Sequence, residues 1–235
     1  MIGEEIDLLK GVSGFLEPGT MTALMGTSGA GKTTLLDVLS GRKNTGTILG
    51  DIFLNGKPKN DATFRRLIGY VEQFDTLSPQ DTPKEAIEFS AAMRLPPGSP
   101  VKDWTNTILA MLELTSIQHN MIGTPTSGGM SFEQKKRVSI GLEIAANPAI
   151  LFLDEPTTGL DSRSAQVIVR CIRRLLKGGR SVVCTIHQPS TFIFESFDCL
   201  LLLKRGGLTV FCGKLGEHCK SLISYFESIP GMMMH

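Results

Sequence analysis

The sequence predicts an α/β fold with a largely parallel sheet, and two observations support this prediction. Several apolar runs of strand length are almost continuous, which is typical of parallel strands covered by helices on both faces. Longer amphipathic segments alternate with these runs along the chain, as they do in α/β domains. With 235 residues, of which 41% are hydrophobic, the chain is long enough for one large domain or two small ones.

The individual elements follow from these patterns. Helices are predicted at 33–39, ending near Gly41, and at 164–177, where apolar residues recur at i, i+4 and i+8 ahead of two glycines. Residues 81–120, with several prolines in their first half, are predicted to form a helical insertion with a proline-rich elbow. The predicted strands are residues 21–25, 67–71, 150–153, 181–186 and 200–203.

Charge and cysteine content argue against several classes of protein. The net charge of +1 gives no basis for a nucleic-acid partner. The five cysteines form no C-x-x-C pair and lie mostly in apolar runs, so we expect reduced thiols in a cytosolic environment. No signal peptide is visible. The apolar runs fall far short of the roughly 20 residues that a membrane-spanning helix needs.

Residues 26–33 read GTSGAGKT and match the phosphate-loop pattern G-x-x-x-x-G-K-[ST] between a predicted strand and a predicted helix. Main-chain N–H groups in such a loop form a cradle for anions, and the helix N-terminus adds partial positive charge. Lys32 is expected to reach the β- and γ-phosphates, and Thr33 to supply a hydroxyl to Mg²⁺. The residues assigned to the nucleotide here are Gly26, Thr27, Ser28, Gly29, Ala30, Gly31, Lys32, Thr33 and Thr34.

Two carboxylates follow the apolar run at 150–153. The carboxyl ends of parallel strands form the edge where open α/β sheets bind ligands. Asp154 is therefore expected to hold Mg²⁺, and Glu155 to polarise an attacking water. The alternative is a pair of solvated acids at a strand end. Asp161 follows in a short turn.

Three motifs together resemble the nucleotide-binding domain of ATP-binding cassette (ABC) proteins. They are the phosphate loop, LDEPTTGLD at 153–161 and TIHQPS at 185–190. The TTGLDS and HQPS segments look like the G subfamily, which includes the white and pleiotropic-drug-resistance transporters. The resemblance covers nearly the whole chain. It implies an α/β P-loop NTPase with an ABC-type ATPase core over residues 1–235, a mostly parallel sheet, a small antiparallel β part and a helical signature subdomain at about 76–146.

The same resemblance implies roles for further residues. Gln73 matches the Q-loop glutamine, which contacts Mg²⁺ and senses the membrane domain. His187 matches the switch histidine, which contacts the γ-phosphate. Asp161 matches the D-loop aspartate at the interface between two cassettes. In the family, adenine stacks on an aromatic residue in a strand well upstream of the phosphate loop. We expect no counterpart here, because Phe15 does not occupy that position and the first strand of the family is expected to be absent in whole or in part.

The family's LSGGQ signature lies at the start of a helix and covers the γ-phosphate held by a partner cassette. Counting back 17 residues from Asp154 gives Arg137, and three more give Gln134, so residues 130–134 (MSFEQ) take the signature slot. Ser131 and Gln134 also form an S-x-x-Q capping box, which predicts a helix from Ser131 to about residue 146. In the alternative register, Ser127 opens the signature, four residues are inserted, and the helix starts near Ser127.

In the first register, Phe132 and Glu133 replace glycines and add bulk and negative charge near a phosphate. A degenerate signature beside an intact phosphate loop resembles the second, C-terminal cassette of full-length drug-resistance transporters. There it faces a first cassette whose catalytic residues are altered. One composite site would hydrolyse ATP, and the other would mainly hold it.

These expectations combine into one hypothesis with ATP and Mg²⁺ as cofactors. The chain would be an ATP hydrolase that powers export of hydrophobic compounds or lipids, working on the cytoplasmic face of a membrane. Its partners would be a second, non-identical cassette and a transmembrane domain absent from this chain, with no nucleic acid. The alternatives are a soluble ABC ATPase and a nucleotide-binding fragment without turnover. The expected catalytic residues are Lys32, Glu155 and His187; the metal ligands are Thr33, Gln73 and Asp154; further nucleotide contacts are Gln73, Ser131 and Asp161.

Overall fold

The computed structural model describes residues 6–124 and 128–230. The strands are β1 (Met21–Gly26), β2 (Phe53–Leu54), β3 (Lys57–Pro58), β4 (Ile68–Val71), β5 (Gly123–Thr124), β6 (Gly128–Gly129), β7 (Ile150–Leu153), β8 (Ser181–Thr185), β9 (Cys199–Lys204) and β10 (Leu208–Lys214). The α-helices are α1 (Lys32–Ser40), α2 (Asp61–Leu67), α3 (Pro83–Arg94), α4 (Val101–Met111), α5 (Phe132–Ile144), α6 (Ser162–Leu176), α7 (Thr191–Glu195) and α8 (Lys220–Glu227).

Within the described residues, the central sheet has the strand order β10-β9-β1-β8-β7-β4. The pairings from β9 through β4 are all parallel, and only β10 runs antiparallel to its neighbour. The predicted α/β fold with a mostly parallel sheet is therefore confirmed, and each predicted strand has a counterpart in this sheet. The small antiparallel β part that the resemblance implied is also present, as strand β10 and the short pairs β2–β3 and β5–β6. The residues of these strands, and the helices α2, α7 and α8, were not predicted.

The sheet is buried on both faces, which explains the unbroken apolar runs of its strands. Phe152 of β7 packs with Leu35 and Leu36 of α1 in one hydrophobic cluster. Its neighbours Leu151 and Leu153 point to the opposite face and belong to a larger cluster with residues of α3, α4, α5 and α6. The helices thus form layers on either side of the sheet.

Residues 81–120, predicted to be helical, contain α3 and α4. Helix α3 begins with a capping box in which the Thr82 and Glu85 side chains satisfy each other's main-chain N–H groups, and Pro83 takes the first helical position. In the ranges 6–124 and 128–230, no helix combines the length and the apolar character required to cross a bilayer.

Candidate nucleotide site

The phosphate loop connects the end of β1 at Gly26 to the start of α1 at Lys32. Gly31 precedes the helix with φ of 91°, a left-handed conformation that favours glycine. A Cβ atom at Gly26 would lie 2.4 Å from the main-chain oxygen of Leu203. Both glycines are thus required by the backbone path, which brings the loop to the N-terminus of α1 at the carboxyl edge of the sheet.

Lys32 is buried against this loop. Its Nζ donates hydrogen bonds to the main-chain oxygens of Gly26 at 2.9 Å and of Thr27 at 3.2 Å. The side chain therefore reaches back from the first residue of α1 to the first two residues of the loop. This geometry keeps the ammonium group at the loop, where a phosphate would be bound.

Asp154 follows β7 and is largely buried. Its Oδ1 accepts hydrogen bonds from Thr185 Oγ1 at 2.6 Å and from Thr33 Oγ1 at 3.4 Å. Burial raises the pKa of the Asp154 carboxyl above its ordinary value, and the nearby charges of Glu155 and Asp37 act in the same direction. A divalent cation beside this carboxylate would favour its ionised form.

The oxygen atoms at this point fit Mg²⁺. In residues 6–124 and 128–230, no group of three or more His, Cys, Asp or Glu residues forms a metal cage. Mg²⁺ in phosphoryl-transfer sites needs only one or two protein oxygens, since phosphates and water supply the rest. Thr33 and Asp154, whose side-chain oxygens already lie 3.4 Å apart, provide such a pair.

Glu155 adopts a left-handed main-chain conformation with φ of 46°. Its N–H donates to Thr185 Oγ1 at 2.7 Å. Its Oε2 accepts from Gln73 Nε2 at 3.0 Å and from Thr158 Oγ1 at 2.9 Å. The fold thus brings together Gln73 and Glu155, which are 82 positions apart in the sequence.

A cleft of about 400 Å³ extends from Thr33 and Asp154 to the Gln73 segment. Tyr70 lies in this cleft, and its hydroxyl donates to Asp37 Oδ1 at 3.0 Å. Burial, with the charges of Asp154 and Asp37, raises the pKa of Tyr70. Sequence reasoning missed this tyrosine–aspartate pair, although residue 70 lies in a strand that was predicted at 67–71.

His187 follows β8 and Asp161 follows β7, and their side chains have different surroundings. His187 lies two residues beyond the end of β8, and its side chain is exposed. Asp161 caps α6, because its Oδ1 accepts from the Ser164 N–H at 2.8 Å. That hydrogen bond lowers the pKa of the Asp161 carboxyl.

Ser131 is the N-cap of α5, and the predicted capping box with Gln134 is present. The Gln134 N–H donates to Ser131 Oγ at 3.2 Å, and the Ser131 N–H donates to Gln134 Oε1 at 2.9 Å. Ser127 lies outside the described residues. Because Gly128 and Gly129 form β6 and the helix begins at Phe132, the helix start near Ser127 implied by the alternative register is wrong.

The expectation for Glu133 requires a correction. Its carboxylate does not add an uncompensated negative charge to the signature slot, because Oε1 forms an ion pair with Arg137 Nε at 2.6 Å. These residues are one turn apart on α5, the spacing at which helical side chains meet. The bulk of Phe132 remains, since that ring is exposed, so the slot differs from LSGGQ by size more than by charge.

Lys136 is a second residue that sequence reasoning missed. It is almost completely buried, and its Nζ donates to Glu72 O at 3.1 Å, Gln73 O at 2.9 Å and Asp75 Oδ1 at 2.7 Å. The signal was present in the sequence, since Lys136 precedes Ile140 and Ile144 at i+4 and i+8 along the buried stripe of α5.

The comparisons with known proteins agree with this geometry. The family model described as "ABC transporter" matches residues 9–158. ABC transporter G family member 38 of Oryza sativa subsp. japonica is 51% identical over 232 residues, which cover 97% of this chain and 15% of that protein. ABC transporter G family member 41 of Arabidopsis thaliana is 51% identical over 233 residues, covering 98% of this chain and 17% of that protein. The chain thus spans only about a sixth of these relatives.

A solved structure shares the fold. It is the dimeric ATP-binding cassette MJ0796 in a post-hydrolysis state bound to ADP and Pi, and it is 26% identical to this chain with a TM-score of 0.71. The superposition covers 92% of this chain and 95% of that one.

Proposed function

This chain belongs to the ABC transporter family as one of its ATPase domains, and from that premise we propose that it powers export of hydrophobic compounds or lipids. The observation that carries the proposal is the convergence of Lys32, Thr33, Gln73, Asp154 and Glu155 at one edge of the parallel sheet. The G family names of the relatives support a role in transport.

In this proposal, the β- and γ-phosphates of ATP bind at the loop, and the Lys32 ammonium exchanges its carbonyl partners for phosphate oxygens. Thr33 and Asp154 hold Mg²⁺, which would neutralise charge on the phosphates. Glu155 orients the attacking water and accepts its proton. Gln73 positions the Glu155 carboxylate through the hydrogen bond at 3.0 Å. His187 contacts the γ-phosphate from the end of β8.

The transmembrane domain is proposed to dock on a surface formed by the Gln73 segment and α3. Phe74, Phe89 and Met93 are all strongly exposed, and Phe89 and Met93 lie four residues apart on α3, so they share one face. An exposed apolar set of this kind is typical of an interaction surface. Docking there would place the chain on the cytoplasmic face of the membrane and connect the partner directly to Gln73.

A second, non-identical cassette is the other proposed partner, and the dimeric structural neighbour supports such pairing. The Ser131 end of α5 and Asp161 would face the nucleotide bound by that cassette. The Ser131 hydroxyl already accepts from the Gln134 N–H, and Phe132 adds bulk where the family has glycine. We therefore propose that this composite site holds ATP with little turnover, while the site built on Lys32 hydrolyses it.

The test uses the natural full-length polypeptide in proteoliposomes, with ATP hydrolysis and efflux of a fluorescent hydrophobic dye measured together. Lys32→Met is expected to abolish both activities, because it removes the charge at the phosphate loop. Lys102→Met, a matched change at an exposed lysine of α4, is expected to leave both unchanged. Wild-type hydrolysis by Lys32→Met would overturn the site assignment. Hydrolysis without movement of dye or labelled lipid, by a protein that does not fractionate with membranes, would instead favour a soluble ABC ATPase.

A further inference from the structure

One hydroxyl group joins the two acidic residues of the site. Thr185 ends β8, and its side chain is completely buried. Its Oγ1 donates to Asp154 Oδ1 at 2.6 Å and accepts from the Glu155 N–H at 2.7 Å. A hydroxyl has one proton and two acceptor lone pairs, so both hydrogen bonds can form at once. An ionised carboxylate can only accept and a main-chain N–H can only donate, which fixes the direction of each bond.

These two bonds act on different parts of the acidic pair. The bond to Oδ1 orients the Asp154 carboxylate. The bond from the Glu155 N–H fixes the peptide group between Asp154 and Glu155. Glu155 has a φ of 46°, which is unfavourable for residues other than glycine. Such a conformation persists only where surrounding contacts enforce it, and the Thr185 hydroxyl is one of those contacts.

The position of Thr185 also connects the acids to the strand that leads to His187, two residues further on. Strands β7 and β8 are neighbours in the sheet, with Leu153 opposite Cys184, so Thr185 lies directly across from Asp154. Through the Thr185 side chain, the two acidic residues that follow β7 are thus hydrogen-bonded to the end of the strand that precedes His187.

We propose that Thr185 is a positioning residue for ATP hydrolysis. It fixes the Asp154 carboxylate and the Glu155 main chain in one arrangement, although it is buried behind them. This inference rests on the proposed ATPase site. We expect Thr185 to affect turnover and to have little effect on nucleotide binding, because the phosphate loop follows a different strand, β1.

The experiment compares three variants of the full-length polypeptide in steady-state ATP hydrolysis, binding of a fluorescent ATP analogue and thermal unfolding. Thr185→Val fills the same space without the hydroxyl, and Thr185→Ser restores the hydroxyl without the methyl group. Thr105→Val makes the same change at another completely buried threonine, on α4 away from the site. Should Thr185→Val not accumulate as folded protein, Thr185→Cys replaces it, since a thiol is a weak hydrogen-bond partner.

We expect kcat of Thr185→Val to fall about 10- to 100-fold, the usual loss when the partner of a site ligand is removed. KM and affinity for the analogue should stay close to those of the wild type, Thr185→Ser should recover most of kcat, and Thr105→Val should retain all of it. Wild-type kcat in Thr185→Val, or equal loss in Thr185→Ser, would overturn the inference. A parallel loss of binding would also overturn it, because it would indicate a general role in folding. If the wild type itself hydrolyses no ATP, the proposed function fails instead.

Discussion

The ammonium group of Lys136 lies 2.7 Å from Asp75 Oδ1, with side-chain exposures of 1% and 6%. The same nitrogen donates to the main-chain oxygens of Glu72 and Gln73. All three ammonium protons therefore have acceptors, which is the condition under which a buried charge is tolerated. The contact anchors α5, whose N-terminus is capped by Ser131, to the segment that carries Gln73.

Removing one member of this pair should be strongly destabilising. Lys136→Met leaves the Asp75 carboxylate buried without its cation, and Asp75 Oδ2 is already without a hydrogen-bond partner in the described structure. We expect the free energy of unfolding to fall by about 3–5 kcal/mol, measured by urea denaturation. Lys102→Met should change it by less than about 0.5 kcal/mol, because that side chain is exposed.

The double variant Lys136→Met/Asp75→Leu separates charge from packing. Because both charges are then removed, most of the lost stability should return. A double variant no more stable than Lys136→Met would show that the ion pair is not what holds α5 to this segment.

Thr105 should be a site of stabilisation. Its Oγ1 is buried in α4 without a hydrogen-bond partner in the part of the chain that the structure describes. Thr105→Val removes an unsatisfied polar group at constant shape, so a gain of about 1 kcal/mol is expected. Differential scanning calorimetry would detect this gain as a Tm increase of about 2–4 °C. A decrease in Tm would mean that the hydroxyl has a partner.

Cys171 should resist alkylation while the chain is folded. Its thiol is buried in α6, and burial, with the charge of Glu113, raises its pKa to about 11. At pH 8 almost no thiolate is present and reagents have no access, so iodoacetamide should label Cys171 only after unfolding in urea. Because the folded pKa exceeds the unfolded value of 9.0, this thiol stabilises the fold below pH 9, and that contribution is lost as the pH rises towards 11. Peptide mass mapping is the measurement, and rapid labelling of native Cys171 at pH 8 would contradict the buried position.

The two serines near α5 should differ in effect. Ser131→Ala removes the N-cap and should cost about 1 kcal/mol, and it should impair dye efflux more than Ser127→Ala. Ser131→Thr keeps a capping hydroxyl and should retain most of the stability. Loss of efflux in Ser127→Ala with normal efflux in Ser131→Ala would restore the alternative register.

The sequence predicted those elements whose determinants are local. The central strands are apolar on both faces, so β7 and β8 are visible as continuous runs. The start of α5 was predicted to within one residue, because the Ser131–Gln134 capping box is a contact over three positions. The ion pair of Glu133 with Arg137 is equally local, because its partners have the i,i+4 spacing at which helical side chains meet.

What could not be predicted depends on contacts between distant parts of the chain. The Lys136–Asp75 pair joins residues 61 positions apart, and the Thr185–Asp154 hydrogen bond joins residues 31 positions apart. No periodicity links such residues, since their meeting is decided by the order of strands in the sheet. Strand β10 was missed because it lies at the edge of the sheet and is only partly buried, so it lacks the continuous apolar run of the central strands.

Glu155 is the residue proposed to activate water, and Glu155→Gln in the full-length polypeptide is the decisive variant for testing that role. The amide keeps the size of the side chain but cannot accept the proton. ATP hydrolysis should fall by about 10²- to 10⁴-fold, while binding of a fluorescent ATP analogue stays at the wild-type level. Unchanged turnover in Glu155→Gln, with normal nucleotide binding, would contradict the assignment.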